Sequence, residues 1–238
     1  MNRNLKLIIG FVYILCVGLI LYCVFSYLDF QDLSNYSFVK EKSSILISFK
    51  ESNFLLFLFF FIVFIVLWVM LLGFATPIAL IAGFIFGPWY GTIISVFSFS
   101  IGCTLLYTLA QTYFKEIIKK ILSSKIEKFQ FFFNKKELFY FMIFRFIGGA
   151  GIPFPIQNIL PVIFNMKIKN YFYASFFGLF PVIFIWCSLG SGIENYIENN
   201  TDINYLSVIS DPGIYIPIIG FVLILVISYF LKEKLFKK

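Results

Sequence analysis

The chain alternates long uncharged stretches with short charged segments. Residues 7–28, 52–114, 170–193 and 214–231 contain no Asp, Glu, Lys or Arg, and residues 138–166 contain a single charge. A helix of about 20 apolar residues is long enough to cross a bilayer. The pattern therefore predicts an all-α polytopic membrane protein with several crossings.

Glycines and prolines interrupt two of these stretches, near residues 74–91 and 138–166. Irregular backbone at membrane depth is tolerated where it is buried in protein or lines a cavity. The sequence therefore predicts two broken or re-entrant helical hairpins packed among transmembrane helices. Whether each segment spans the bilayer or re-enters stays open, as does an inverted repeat. The residues expected to shape the hairpins are Pro77, Gly83, Gly87, Pro88, Gly91, Pro155 and Pro161.

The distribution of lysines predicts the topology. Residues 115–136 and the C-terminal tail are rich in lysine, whereas the segments 29–51 and 194–211 are acidic or balanced. Lysine and arginine favour the cytoplasmic side, so both termini are expected there. Residues 115–136 also show helical spacing of apolar residues, which suits either a basic helix on the membrane surface or an extension of the preceding helix.

Three regions follow from this topology. Residues 1–50 hold an N-terminal transmembrane helix and an external loop, and residues 51–193 form the membrane domain with both hairpins. Residues 194–238 comprise a second external loop, the last transmembrane helix and a basic cytoplasmic tail.

Composition narrows the function. The chain is 61% hydrophobic and 13% charged, with a net charge of +7 and no histidine. The topology accounts for the positive charge, so nucleic acid is not an expected partner. No carboxylate pair lies in an apolar stretch, and no serine or cysteine has a candidate base. The sequence therefore predicts no enzyme, no metal site and no cofactor, and the cysteines are expected to be packing residues.

Arg145 is the one charge within a long apolar stretch, and it precedes a glycine- and proline-rich turn. A charged residue inside a membrane is a functional candidate by default. Its guanidinium fork suits a phosphate, but it also suits backbone carbonyls freed by a broken helix, which would make it a clamp. Both interpretations stay open. The candidate lipid-phosphate site comprises Arg145, Gly148, Gly149, Gly151, Pro153, Gln157 and Asn158.

The order of these motifs resembles a known family over roughly residues 70–192. The matching positions are Phe74 to Pro77, Ala82 to Gly91, Gly102, Arg145 to Ile147, Ile152 to Phe154, Asn158, Gly178 to Pro181, and Leu189 with Gly190. Together they resemble the DedA-like, SNARE-associated Golgi protein family, which carries the VTT domain.

The resemblance implies two opposed re-entrant hairpins and the movement of lipids between leaflets. Bacterial relatives are associated with recycling undecaprenyl phosphate, and eukaryotic relatives resemble phospholipid scramblases. Arg145, Pro153 and Asn158 match the second hairpin of the family. The acids that DedA members carry near the first hairpin are missing, which places the chain nearer the eukaryotic-like branch and argues against proton coupling.

The expected function is therefore uncoupled transbilayer movement of a phospholipid or polyprenyl phosphate in a bacterial inner membrane. Two alternatives remain: a membrane-homeostasis scaffold or assembly protein without transport, and a proton-coupled exporter of a small solute that uses Glu51 or Glu137. A homo-oligomer is left open. Trp89 and Tyr90, beside the first interruption, are expected to be interfacial anchors.

Overall fold

The computed structural model describes residues 44–45, 47–199 and 209–236. The predicted crossing at residues 7–28 lies outside this range. The chain divides into two compact units, residues 1–52 and 53–238. In the first unit, residues 47–52 are helical, and the Ser52 hydroxyl donates to the carbonyl of Ser48 one turn earlier.

The second unit is built from helices, and its described part contains no strand. The predicted all-α class is therefore confirmed. Within the described residues two helices, Ala75–Tyr113 and Ile168–Glu198, are long and apolar enough to cross a membrane. The elements are α1 (Phe54–Met70), α2 (Ala75–Tyr113), α3 (Lys115–Phe146), a 3-10 turn (Gly148–Gly151), α4 (Phe154–Ile159), a second 3-10 turn (Leu160–Val162), α5 (Ile168–Asn199) and α6 (Pro212–Phe236).

Helix α2 consists of two helices that meet at Gly87, whose backbone is not helical (φ 76°, ψ 177°). Across this point the backbone of Gly91 lies against that of Ala82. In a continuous helix these residues would be about 13 Å apart, so the chain folds back at Gly87. The arm before the turn, residues 75–86, is about 18 Å long. We call residues 75–113 the first hairpin.

A second fold-back occupies residues 137–170, the second hairpin. Its rising arm begins after a non-helical residue, Lys136, and ends at the turn Gly148–Gly151, where both named glycines have positive φ. The chain returns through α4. The Glu137 carboxylate then accepts hydrogen bonds from the backbone N–H of Lys167 (3.2 Å) and from Asn170 Nδ2 (2.5 Å). The segment therefore starts and ends at the same place.

Both hairpins pack along α5, and glycines let the backbones touch. In the first hairpin Gly83 lies against the backbone of Cys187, and Leu80 lies against Gly190. In the second hairpin Met142 lies against Gly178. The arm of the first hairpin before Gly87 thus packs against the C-terminal half of α5, and the second hairpin packs against the N-terminal half. The longer arm after Gly87 continues to Tyr171, near the start of α5.

Candidate functional site

Arg145 lies near the end of α3 and is 1% exposed. Its Nη2 donates to Asn158 Oδ1 (2.7 Å) and to the Tyr171 hydroxyl (2.9 Å), and its Nη1 makes a longer contact with Gln157 Oε1 (3.4 Å). All three partners are neutral. Within the described residues no carboxylate pairs with the guanidinium, so a full positive charge is held by the dipoles of neutral groups.

Gln157 connects this charge to the turn of the hairpin. Its Nε2 donates to the carbonyl oxygens of Ile152 (2.6 Å) and Gly148 (3.2 Å). These are carbonyls that a continuous helix would have satisfied. The clamp considered from the sequence is therefore present, but Gln157 binds the freed carbonyls and Arg145 holds Gln157.

A second set of contacts joins the first hairpin and α5 to the cluster. The Tyr171 hydroxyl donates to the carbonyl of Asn158 (3.1 Å), and the Cys103 thiol donates to Asn158 Oδ1 (3.2 Å). The rings of Tyr107 and Tyr171 stack with centroids 4.5 Å apart, and the Tyr107 hydroxyl donates to the carbonyl of Met166 (2.6 Å). Four helices therefore meet at one buried polar cluster.

Aromatic rings surround the guanidinium. The centroids of Phe141, Phe154 and Tyr171 lie 4.9, 5.4 and 5.8 Å from its central carbon. A ring face attracts a cation, and the attraction grows where water is excluded. These rings partly replace a counter-ion, but they supply no formal negative charge.

The cluster keeps unused hydrogen-bond donors. Arg145 Nε and Asn158 Nδ2 are buried and have no hydrogen-bond partner. Each unsatisfied buried donor costs about 1–3 kcal/mol. A positive charge together with two spare donors is an arrangement that an anionic oxygen would complete.

The structure separates the predicted phosphate-site residues into two groups. Arg145, Gln157 and Asn158 come together in the cluster. Gly148, Gly151 and Pro153 are exposed and shape the adjoining turn, and Gly149 belongs to the same 3-10 turn.

The predicted shape-forming residues also have distinct places. Gly87 is the turn of the first hairpin and Pro88 follows it, while Gly83 and Gly91 are close-packing points. Pro77 is exposed in the first turn of α2. Pro155 lies in the first turn of α4, and Pro161 is buried in the second 3-10 turn.

Sequence reasoning missed the tyrosines of the cluster. Tyr107 and Tyr171 are two of 14 tyrosines, and no local pattern distinguishes them. Cys103 is a buried free cysteine as expected, and it also donates a hydrogen bond. Glu137 was considered only as a proton carrier, whereas the structure places it at the base of the second hairpin.

Comparison with known proteins identifies the class. The VTT domain family matches residues 74–192, which is 119 of the 238 residues, and the chain belongs to this family. This match confirms the predicted family resemblance and assigns the chain to a class of membrane proteins. The chain is 24% identical over 177 residues to the Transmembrane protein 41 homolog of Caenorhabditis elegans, covering 71% of this chain and 70% of that protein. No solved structure matches the chain.

Proposed function

We propose that this protein lets phosphate-bearing lipids cross between the leaflets of a bacterial inner membrane without proton coupling. The observation that carries the proposal is the buried Arg145, a positive charge with neutral partners and an unpaired Nε. A lipid phosphate is the anion available at membrane depth, and an arginine fork binds phosphate well.

The proposed topology treats both hairpins as re-entrant. Helix α5 has 32 residues, a length of about 48 Å, which exceeds the roughly 30 Å of a hydrocarbon core. The 18 Å arm of the first hairpin would reach only partway across such a core. Leu55, Phe59 and Phe60 on α1 are at least 60% exposed, as expected of side chains that face lipid. The lysine distribution supports cytoplasmic termini in this topology.

The mechanism follows from the charges. A headgroup that crosses the apolar core loses its hydration, and the loss is smaller where donors replace water. Near Arg145 the phosphate oxygens would take the place of Gln157 Oε1 and Asn158 Oδ1 as acceptors. Because the described residues offer the arginine no carboxylate, the phosphate displaces no counter-ion. Since Arg145 is enclosed, its access requires the second hairpin to move away from α5.

The complete burial of Arg145 favours one other role, in which it only clamps the hairpin. Asn158→Asp separates the two. The new carboxylate keeps the shape of the side chain and its hydrogen bond to Arg145, so the fold is retained, but it cancels the charge that would attract a phosphate. Asn165→Asp is the matched control because Asn165 is exposed and lies outside the cluster.

The measurement is leaflet exchange of fluorescent lipids in vesicles that contain the purified protein. We expect the unaltered protein to exchange phospholipid and to leave a phosphate-free glycolipid largely unmoved. Asn158→Asp should lower phospholipid exchange about tenfold, the effect of roughly 1.4 kcal/mol on a barrier, with unchanged thermal unfolding. If exchange survives Asn158→Asp intact, Arg145 is a clamp. If the unaltered protein exchanges no lipid, transport itself is rejected.

A further inference from the structure

Two buried serines differ from the other hydroxyl-bearing residues of the long helices. Most serine and threonine hydroxyls on α2 donate to the carbonyl oxygen four residues earlier in the same helix. These residues are Thr92, Ser98, Ser100, Thr104, Thr108 and Thr112. Ser95 on α2 and Ser175 on α5 are fully buried, and their hydroxyls have no hydrogen-bond partner within the described part of the chain. Each therefore carries a cost of burial that a local hydrogen bond would have removed.

Ser175 lies on the face of α5 that meets Arg145. Tyr171, Ser175 and Gly178 are three to four residues apart, so they share one face of the helix. A Cβ atom at Gly178 would lie 2.6 Å from the Cβ atom of Arg145, so the arginine side chain starts beside this glycine. Its Nη2 ends at the Tyr171 hydroxyl (2.9 Å), and the Ser175 hydroxyl lies beside that of Tyr171. The arginine side chain therefore runs past Ser175.

The unpaired donors of this region come from both sides of one interface. Arg145 Nε and Asn158 Nδ2 belong to the second hairpin, whereas the Ser175 hydroxyl belongs to α5. All three are buried next to a guanidinium that has no carboxylate partner among the described residues. A neutral acceptor would satisfy a donor, but only an anionic oxygen would also balance the charge. The interface is therefore suited to an anion that contacts both sides.

We propose that a lipid phosphate binds between the second hairpin and α5, and that Ser175 donates a hydrogen bond to it from α5. When the second hairpin moves away, Arg145 and Asn158 move with it, whereas Ser175 stays on α5. A phosphate between them takes the place of the direct contact of Arg145 with Tyr171. The inference rests on the proposed lipid movement, and it adds a binding residue on the opposite side of the Arg145 site.

Ser175→Ala separates a ligand contact from a structural one. The substitution removes an unpaired buried hydroxyl, so we expect the melting temperature to rise by about 2–4 °C. Phospholipid exchange in vesicles should nevertheless fall about tenfold, as expected for one lost hydrogen bond to a charged group. Ser95→Ala is the matched control, because Ser95 is equally buried and unpaired but lies about 12 Å of helix before Cys103. It should raise the melting temperature similarly and leave exchange unchanged.

Two results would overturn the inference. A lower melting temperature for Ser175→Ala would show that its hydroxyl supports the fold. Equal exchange by the Ser175→Ala and Ser95→Ala variants would show that the hydroxyl contacts no ligand, while transport by the unaltered protein would still stand.

Binding can also be measured without transport, because a ligand of the folded protein raises its melting temperature. In detergent we expect short-chain phosphatidylglycerol to stabilise the unaltered protein and Ser95→Ala alike. Ser175→Ala should need about tenfold more of this lipid for the same shift. A short-chain glycolipid without phosphate should give no shift. An equal shift with inorganic phosphate at the same concentration would show a site for the free anion and overturn the lipid contact.

This second measurement distinguishes the contact from transport. If phosphatidylglycerol stabilises the protein in a manner that depends on Ser175 but the unaltered protein exchanges no lipid, transport is rejected and the contact stands. If exchange occurs while the shift is the same in Ser175→Ala and the unaltered protein, the contact is rejected.

Discussion

The two hairpins pack against the same helix, α5, but different forces hold them. The first is held by backbone contact: Gly83 lies against Cys187, and Gly190 lies against Leu80. The second has one such contact, Met142 against Gly178, and is held in addition by polar side chains, with Arg145 at its centre and Glu137 at its base. Close backbone packing involves no partner that a ligand could replace, whereas a hydrogen-bond network can exchange one acceptor for another.

The difference has a functional meaning under the proposed mechanism. We call the contacts of Gly83 and Gly190 with the facing backbones the glycine seam. It requires only that two backbones approach, and it excludes both water and lipid. The neutral network around Arg145 leaves two N–H donors unpaired, and these donors can bind an anionic ligand. We therefore expect the first hairpin to be the rigid element and the second to be the element that moves.

Arg145→Ala should have the largest effect of these variants, because Arg145 is the centre of the network that holds the second hairpin. The variant leaves the acceptors of Gln157 and Tyr171 without their donor and opens a cavity among Phe141 and Phe154. We expect a loss of about 3–5 kcal/mol in the free energy of unfolding, measured by denaturation in detergent. Arg145→Lys, which keeps the charge and loses the fork, should cost less. A loss below about 1 kcal/mol would show that the network does not hold the second hairpin.

Gly83→Ala tests the seam of the first hairpin. The added methyl group would overlap the backbone of Cys187, so α2 and α5 would have to separate. We expect about 2–3 kcal/mol of destabilisation. Gly220→Ala is the control, since its methyl group would lie 3.7 Å from Ile185 Cδ1, an ordinary contact. Equal unfolding curves for the two variants would contradict the tight seam.

Gly87→Ala tests the turn rather than the seam. A methyl group there would meet nothing within 4 Å, so the cost is purely conformational. The angles of Gly87, φ 76° and ψ 177°, belong to a region that only glycine occupies readily. We expect a loss of about 1–2 kcal/mol in the same assay. An unchanged stability would mean that the chain can reverse at this point with another backbone geometry.

The hairpins could be predicted from the sequence because their causes are local. Gly87 with Pro88 cannot continue a helix, and the same holds for the Gly148–Gly151 turn. The sequence also allowed Arg145, Gln157 and Asn158 to be grouped, since all three lie in one interrupted stretch. Here one short segment contains both the break in the helix and the side chain that bonds the carbonyls freed by the break.

The rest of the site depends on distant contacts. Tyr171 is 26 residues from Arg145, and Cys103 is 55 residues from Asn158. Which face of α2 meets α5 is decided by packing, and an almost uniformly apolar helix gives no amphipathic signal to reveal it. The role of Glu137 was missed for the same reason, because its partners follow the whole hairpin.

Glu137→Ala should lower the free energy of unfolding least of these variants, and its effect should be confined to the second hairpin. The carboxylate accepts hydrogen bonds from the backbone N–H of Lys167, just before α5, and from Asn170 Nδ2 at a partly exposed site, so its loss should cost about 1 kcal/mol. Opening of the base should speed amide hydrogen exchange within the second hairpin and leave the first unchanged, which mass spectrometry would detect. Glu116→Ala, an exposed acid in the first turn of α3, is the control. Faster exchange in both hairpins would show that they open together, and the division into a rigid and a moving element would fail.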